Sequence, residues 1–247
     1  SRCVLMTGLH LGHAQIRGNK QATSADGQPT EGQHPLQAGT VTLPLLFQRA
    51  GYTTAAFGKW GLGPVGSTGS PEKMGIEQFY GYNCQAVAHS LYPSHLWRNS
   101  EQIRFNRAPV PGHAKQPDGE VRFEDWETEN HAPTRMEAEA VQFLKENAAR
   151  PFFLYLPFIE PHVSLQPPRR LVETYPQEWD DRPYRGQCGY TPHPRPRAAY
   201  AAMVTNLDEH VGAVLTTLDE LGLAEKTLVV FSSDNGAVSY THLRAHE

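Results

Sequence analysis

An α/β fold, with helices flanking a mostly parallel central sheet, is the architecture these residues predict. Two observations carry the prediction. Three times along the chain a helical pattern is followed by a short apolar run rich in β-branched or aromatic residues. Those runs are apolar almost throughout rather than alternating, which suits strands buried on both faces beneath covering helices.

The elements follow in order. Thr42 to Ala50 (TLPLLFQRA) reads as a helix stopped by Gly51, and Tyr52 to Phe57 (YTTAAF) as the strand after it. Thr134 to Ala149 places Met136, Ala140, Val141 and Leu144 on one face, and Phe152 to Phe158 follows as a buried strand. From Ala198 to Leu221 a 3.6-residue stripe runs through Tyr200, Met203, Val204, Leu207, Val211, Val214, Leu215, Leu218 and Leu221. Gly222 caps it, and Thr227 to Phe231 (TLVVF) is the expected third strand. Glycine and proline concentrate in residues 61–71, 105–118 and 166–196, which read as long irregular loops, either walls of a site or disordered segments. No repeat or linker divides residues 1–237, so they are expected to form one domain. Residues 238–247 show no apolar period and read as a tail of foreign origin.

Composition excludes several classes of function. A net charge of −4 argues against a nucleic-acid binder, which needs a clustered basic surface to neutralise phosphates. No window approaches 18 uninterrupted apolar residues, so no membrane span is expected. Cys3, Cys84 and Cys188 lie far apart without CxxC spacing, leaving room for at most one disulfide.

The residues just past each strand point to chemistry. Gly58-Lys59 comes after the first, Pro161-His162 after the second, and Ser233-Asp234-Asn235-Gly236 after the third. Parallel α/β sheets build their sites where loops converge at the carboxyl ends of strands. Singly, Lys59 reads as a surface lysine, His162 as a satisfied core histidine and Asp-Asn-Gly as a turn. Three coincidences at consecutive strand ends favour one shared site.

The same residues carry a family resemblance. Ser1-Arg2-Cys3-Val4-Leu5-Met6-Thr7-Gly8 resembles the tail of the sulfatase signature C-x-P-S-R-x-x-L-x-T-G. Gly51 to Trp60 (GYTTAAFGKW) is similar to the second family signature, Pro157 to His162 to its Pro-His segment, and Phe231 to Gly236 to its metal-binding SDNG. Membership implies the alkaline-phosphatase-like fold and hydrolysis of an aryl or carbohydrate sulfate ester through formylglycine, made from a signature Cys or Ser. It implies a divalent cation, usually Ca²⁺, with Asp234 and Asn235 among its oxygen ligands. Arg2 would stabilise the formylglycine, Lys59 would hold the sulfate, and His162 would contact the leaving-group oxygen as proton donor. The implied partner is a sulfated small molecule or carbohydrate, and the implied compartment periplasmic or extracellular.

Departures from the pattern are expectations too. The modified Cys would lie three residues before Ser1, so the 247 residues alone are expected to be inactive. Cys3 occupies a position for a small apolar helix residue and is not the nucleophile. Many relatives carry a histidine after GKW where this chain has Gly61, and His89 or Gln85 could stand near enough to substitute. The competing readings are a phosphomonoester or phosphonate hydrolase of the same superfamily and an inactive binding module.

Overall fold

The computed structural model describes residues 2–24 and 26–233. At its centre lies a five-stranded sheet, built from β3 (Thr53–Lys59), β4 (Gln78–Tyr82), β5 (His95–Arg98), β6 (Glu101–Arg104) and β7 (Phe152–Tyr155). The strand order is β6-β5-β4-β3-β7. β3 is parallel to both β4 and β7, while β4, β5 and β6 form an antiparallel meander. The sheet is therefore mixed; of its three parallel strands, β3 and β7 fall where strands are expected and β4 does not. A separate hairpin joins β1 (Gln21–Thr23) to β2 (Pro29–Gln33). Glu31 of β2 ties it to β5 by accepting from Trp97 Nε1 at 2.7 Å and pairing with His95 Nε2 at 2.9 Å.

Helices cover both faces. α1 (Arg2–Thr7) and α2 (Leu43–Arg49) lie on one, α3 (Ala132–Asn147) and α5 (Pro196–Glu220) on the other, with the short α4 (Arg169–Val172) beside α5. Local chemistry explains the helix ends. The Thr42 hydroxyl caps α2 by accepting from Leu45 N, and Gly51 takes φ +86 just beyond its end. Prolines stand in the first turns of α2, α3 and α5, where a missing N–H costs nothing.

Pleating divides the core. Ala55 and Phe57 of β3, with Tyr80 and Tyr82 of β4, face Met136, Ala140, Phe143 and Leu144 of α3 and Ala202 and Met203 of α5. Ala56 and Phe79 face the opposite layer, with Cys3 and Met6 of α1, Trp60, Leu62 and Ile76. Cys3 thus packs as a small core residue, and Cys84 is buried as well.

Three sequence expectations are corrected. Thr227–Phe231 is not a strand: among the described residues no ladder pairs it, and Leu228, Val230 and Phe231 are exposed. An apolar β-branched run becomes a strand only when an edge receives it. The buried line of α5 is also rotated from the expected stripe. It runs through Ala198, Ala202, Met203, Asn206, His210, Thr217 and Leu218, leaving Val204 and Leu215 exposed. Polar Asn206 and His210 turn inward because a buried carboxylate, Glu160, awaits them. Residues 166–196 are less irregular than expected, since α4 and a 3₁₀ turn over Gln177–Trp179 fall within them. Residues 238–247 lie outside the described residues.

Candidate active site

Lys59 ends β3, which lies between β4 and the edge strand β7. Its backbone N–H donates to Pro157 O at 3.0 Å beyond β7, and its β4 register partner is Tyr82. Gly58 makes this approach feasible, because a Cβ there would stand 2.3 Å from Pro157 O. Trp60, fully buried, then locks the chain: its N–H donates to Tyr82 O at 2.9 Å and its indole Nε1 to Gly69 O at 2.8 Å. The Gly-Lys-Trp order is thus mechanical, a close crossing and a deep anchor holding a half-buried cation between them.

Arg2, at the start of α1, reaches the same edge. A Cβ on Gly61 would lie 2.7 Å from its Nη2 and 3.3 Å from Gln85 Cγ, and Gly61 takes φ +65. Arg2 and Gln85 therefore fill the volume a side chain at residue 61 would occupy. Gln85 is held from the far side, its N–H donating to Gln33 Oε1 and its amide nitrogen to Asn19 Oδ1.

His162 sits seven residues past β7. Its N–H donates to Ile159 O at 3.0 Å, and its Nδ1 lies 2.5 Å from Val163 O, a carbonyl that can only accept. Nδ1 therefore carries a proton, and Nε2 is the nitrogen whose protonation can change. Ser164 stitches this loop down: its N–H donates to His89 O at 3.3 Å and its hydroxyl to Gly112 O at 2.5 Å. Upstream, Glu160 Oε1 accepts from Asn206 Nδ2 at 3.0 Å and lies 3.3 Å from His210 Nδ1. Burial pushes the Glu160 carboxyl up, but the His210 contact overcomes it and holds the group below its ordinary range.

Four rings gather beside Lys59. His89 stacks on His162 with centroids 5.1 Å apart and planes 7° from parallel. Its Nδ1 lies 2.7 Å from His113 Nε2, and His113 stacks on Tyr190 at 4.9 Å. Burial, and then the charges of His162, His113 and Lys59, lower the His89 pKa to about 4, so its imidazole is neutral near pH 7.

The structure thus gathers Lys59, His162 and His89 at the carboxyl ends of the parallel strands, with Arg2 and Gln85 against the neighbouring Gly61. Asp234 and Asn235, the metal ligands expected from the resemblance, lie outside the described residues. Among the described residues, no three His, Cys, Asp or Glu side chains converge as a set for a metal ion. Sequence reasoning missed His113, Tyr190 and Glu160. The Glu-Pro-His tripeptide was the one available signal, since a carboxylate beside a site histidine calls for a partner.

Comparison with known proteins bears on the family and the fold. The sulfatase family model matches residues 1–247. N-acetylgalactosamine-6-sulfatase of Mus musculus is 27% identical over 247 residues, covering 96% of this chain and 41% of the relative. The chain spans about two fifths of the length of the curated relatives it matches. A solved structure from work on glycosaminoglycan metabolism by Bacteroides thetaiotaomicron superposes with TM-score 0.67 at 18% identity, over 100% of this chain and 56% of that one. Another, in complex with its substrate D-glucosamine-2-N,6-O-disulfate, superposes with TM-score 0.57 at 17% identity over 90% of this chain and 52% of that one. At those identities the structural likeness speaks for the fold, which is the alkaline-phosphatase-like α/β fold. With every residue falling under one family model, the chain belongs to the sulfatase family.

Proposed function

We propose that the protein is a sulfuric-ester hydrolase, cleaving the sulfate ester of a small molecule or carbohydrate at the Lys59–His162 site. The reading rests on one observation: the chain is of the sulfatase family, and in it Lys59 ends a strand lying between two parallel neighbours. The net reaction adds water to the ester and releases an alcohol and hydrogen sulfate. A formylglycine upstream of Ser1 supplies the nucleophilic oxygen when present. A Ca²⁺ ion held in part by Asp234 and Asn235 would polarise the sulfate.

The chain's own residues do the rest. As the S–O bond breaks, negative charge grows on the sulfate oxygens and on the departing oxygen. Lys59 and Arg2 oppose the first charge from a partly desolvated edge, where a fixed cation acts more strongly than in water. His162, its Nδ1–H held by Val163 O, delivers a proton from Nε2 to the departing oxygen.

The test uses the full-length protein bearing formylglycine, with sulfate release from para-nitrophenyl sulfate and from hexose sulfates followed by ion chromatography. Turnover of sulfate esters well above that of the matching phosphomonoesters is expected. Preference for phosphomonoesters, or no ester cleavage at all, would sink the reading.

A further inference from the structure

Hydrogen-bond direction can be read along the ring cluster. His113 Nδ1 lies 3.1 Å from Gly189 O, and a carbonyl only accepts, so Nδ1 of His113 is the protonated nitrogen. A neutral imidazole protonated at Nδ1 bears a lone pair on Nε2, and in that form of His113 the lone pair faces His89 Nδ1 at 2.7 Å. His89 Nδ1 must then donate. Because His89 is neutral near pH 7, its Nε2 is left as a lone pair. Among the described residues no group hydrogen-bonds that nitrogen, and His89 is only partly buried. The chain Gly189 O, His113, His89 therefore ends in an acceptor of fixed direction, on a ring stacked against His162.

Such an acceptor is poorly matched to the ester being cleaved. A sulfate group and the oxygen bearing it offer no proton. An alcohol carrying further hydroxyls does.

We infer that His89 is a specificity-determining residue, whose Nε2 accepts a hydrogen bond from a hydroxyl near the sulfate ester and so selects sulfated carbohydrates over bare aryl sulfates. The inference rests on the sulfatase reading above and deepens it. The wall suits such a leaving group in a second way, since Tyr190, His113 and His89 present ring faces and edges against which a sugar ring can lie. Sites built to bond a hydroxyl discriminate strongly against analogues lacking it, because the acceptor is then left unpaired. His113 is a positioning residue, since it sets which nitrogen of His89 donates.

The experiment compares hexose sulfates, their monodeoxy analogues and para-nitrophenyl sulfate on full-length, formylglycine-bearing protein. His89→Ala should lower kcat/KM on the preferred hexose sulfate by about 10–100-fold more than on para-nitrophenyl sulfate. One monodeoxy analogue should lose about as much with wild type and little further with His89→Ala. His89→Gln, which keeps an acceptor oxygen, should recover part of the loss, and His113→Phe should show a weaker form of it. Nitrogen-15 shifts should report His89 as the Nδ1–H tautomer at neutral pH. Equal losses on sugar and aryl esters, no loss on either, or an Nε2–H tautomer overturns the proposal. So does a wild type that cleaves the aryl ester but none of the sugars. A wild type inactive on every sulfate ester would instead mean that the sulfatase reading itself had failed.

Discussion

The Arg2 guanidinium stands where a side chain on Gly61 would begin, with Nη2 2.7 Å from the position of a Cβ there. Two positions far apart in sequence therefore share one volume, and only glycine at 61 leaves it to the arginine. This gives a physical reason why the histidine that many relatives carry after Gly-Lys-Trp has no room here.

Gly61→Ala should therefore damage catalysis more than folding. The φ of +65 costs a side chain roughly 1–2 kcal/mol of stability. The closest neighbour, however, is the movable end of Arg2, which can swing away from its functional position. We expect kcat/KM to fall at least tenfold with a small change in denaturation midpoint. In an Arg2→Ala background the further loss should shrink, because neighbours sharing one contact do not add. A full additive loss in the double variant would show that Arg2 and Gly61 act separately.

Lys59→Ala should lower turnover by roughly two to three orders of magnitude, since a charge-facing group lost from such a site costs on the order of 3–4 kcal/mol in the transition state. Cys3→Ala, in the α1 core layer, should leave specific activity within a fewfold while lowering stability modestly. Steady-state kinetics on folded protein, with denaturant titrations beside them, separates the two. Silence at Lys59 with inactivation at Cys3 would mean the motif register is wrong.

Glu160, two residues before His162, is anchored to Asn206 and His210 of α5. Its carboxylate is buried, and removing one partner from a buried pair costs roughly 3–5 kcal/mol. Glu160→Ala and His210→Ala should each show a loss of that order in denaturant unfolding, and the double variant less than their sum. Additive losses would indicate that the 3.3 Å approach carries no coupling.

Helices α2, α3 and α5 and the strands β3 and β7 were readable because their signals are local. A 3.6-residue apolar period marks α3, and an apolar run flanked by Gly51 and Lys59 marks β3. The meander was hidden: β5 and β6 are four residues each, and Asn99 at φ 51 turns between them where no glycine announces a hairpin. Lys59 and His162 could be found as residues that follow strands. His113 and Tyr190 could not, because each reaches the site from a long loop whose path is set by contacts such as Thr191 N–H to Gly112 O. Glu160 depends on α5, 46 residues away in sequence, and no local pattern encodes that pairing.

Acid should destabilise the protein through its buried neutral histidines, with His193 the clearest case. Its Nδ1 accepts from Arg195 N at 3.0 Å, and its ring meets Phe123 edge-on. Burial, opposed by that backbone bond and reinforced by the Arg195 charge, lowers its pKa to about 3. The unfolded chain holds the same group near 6.5, so between these values the unfolded state binds the extra proton. The contribution of His193 is therefore complete above about pH 6.5 and shrinks as pH falls toward 3. The slope is about 1.4 kcal/mol per pH unit once the unfolded group is protonated. His131, lowered to about 4 chiefly by burial, adds a second proton over most of the same window. His193→Gln, which retains an acceptor for Arg195 N but cannot titrate, should be less stable than wild type at pH 7. Its unfolding free energy should then fall less steeply between about pH 6.5 and 4, by about one proton's worth of slope. Parallel pH profiles for the two proteins in urea unfolding would show that His193 is already charged in the folded state.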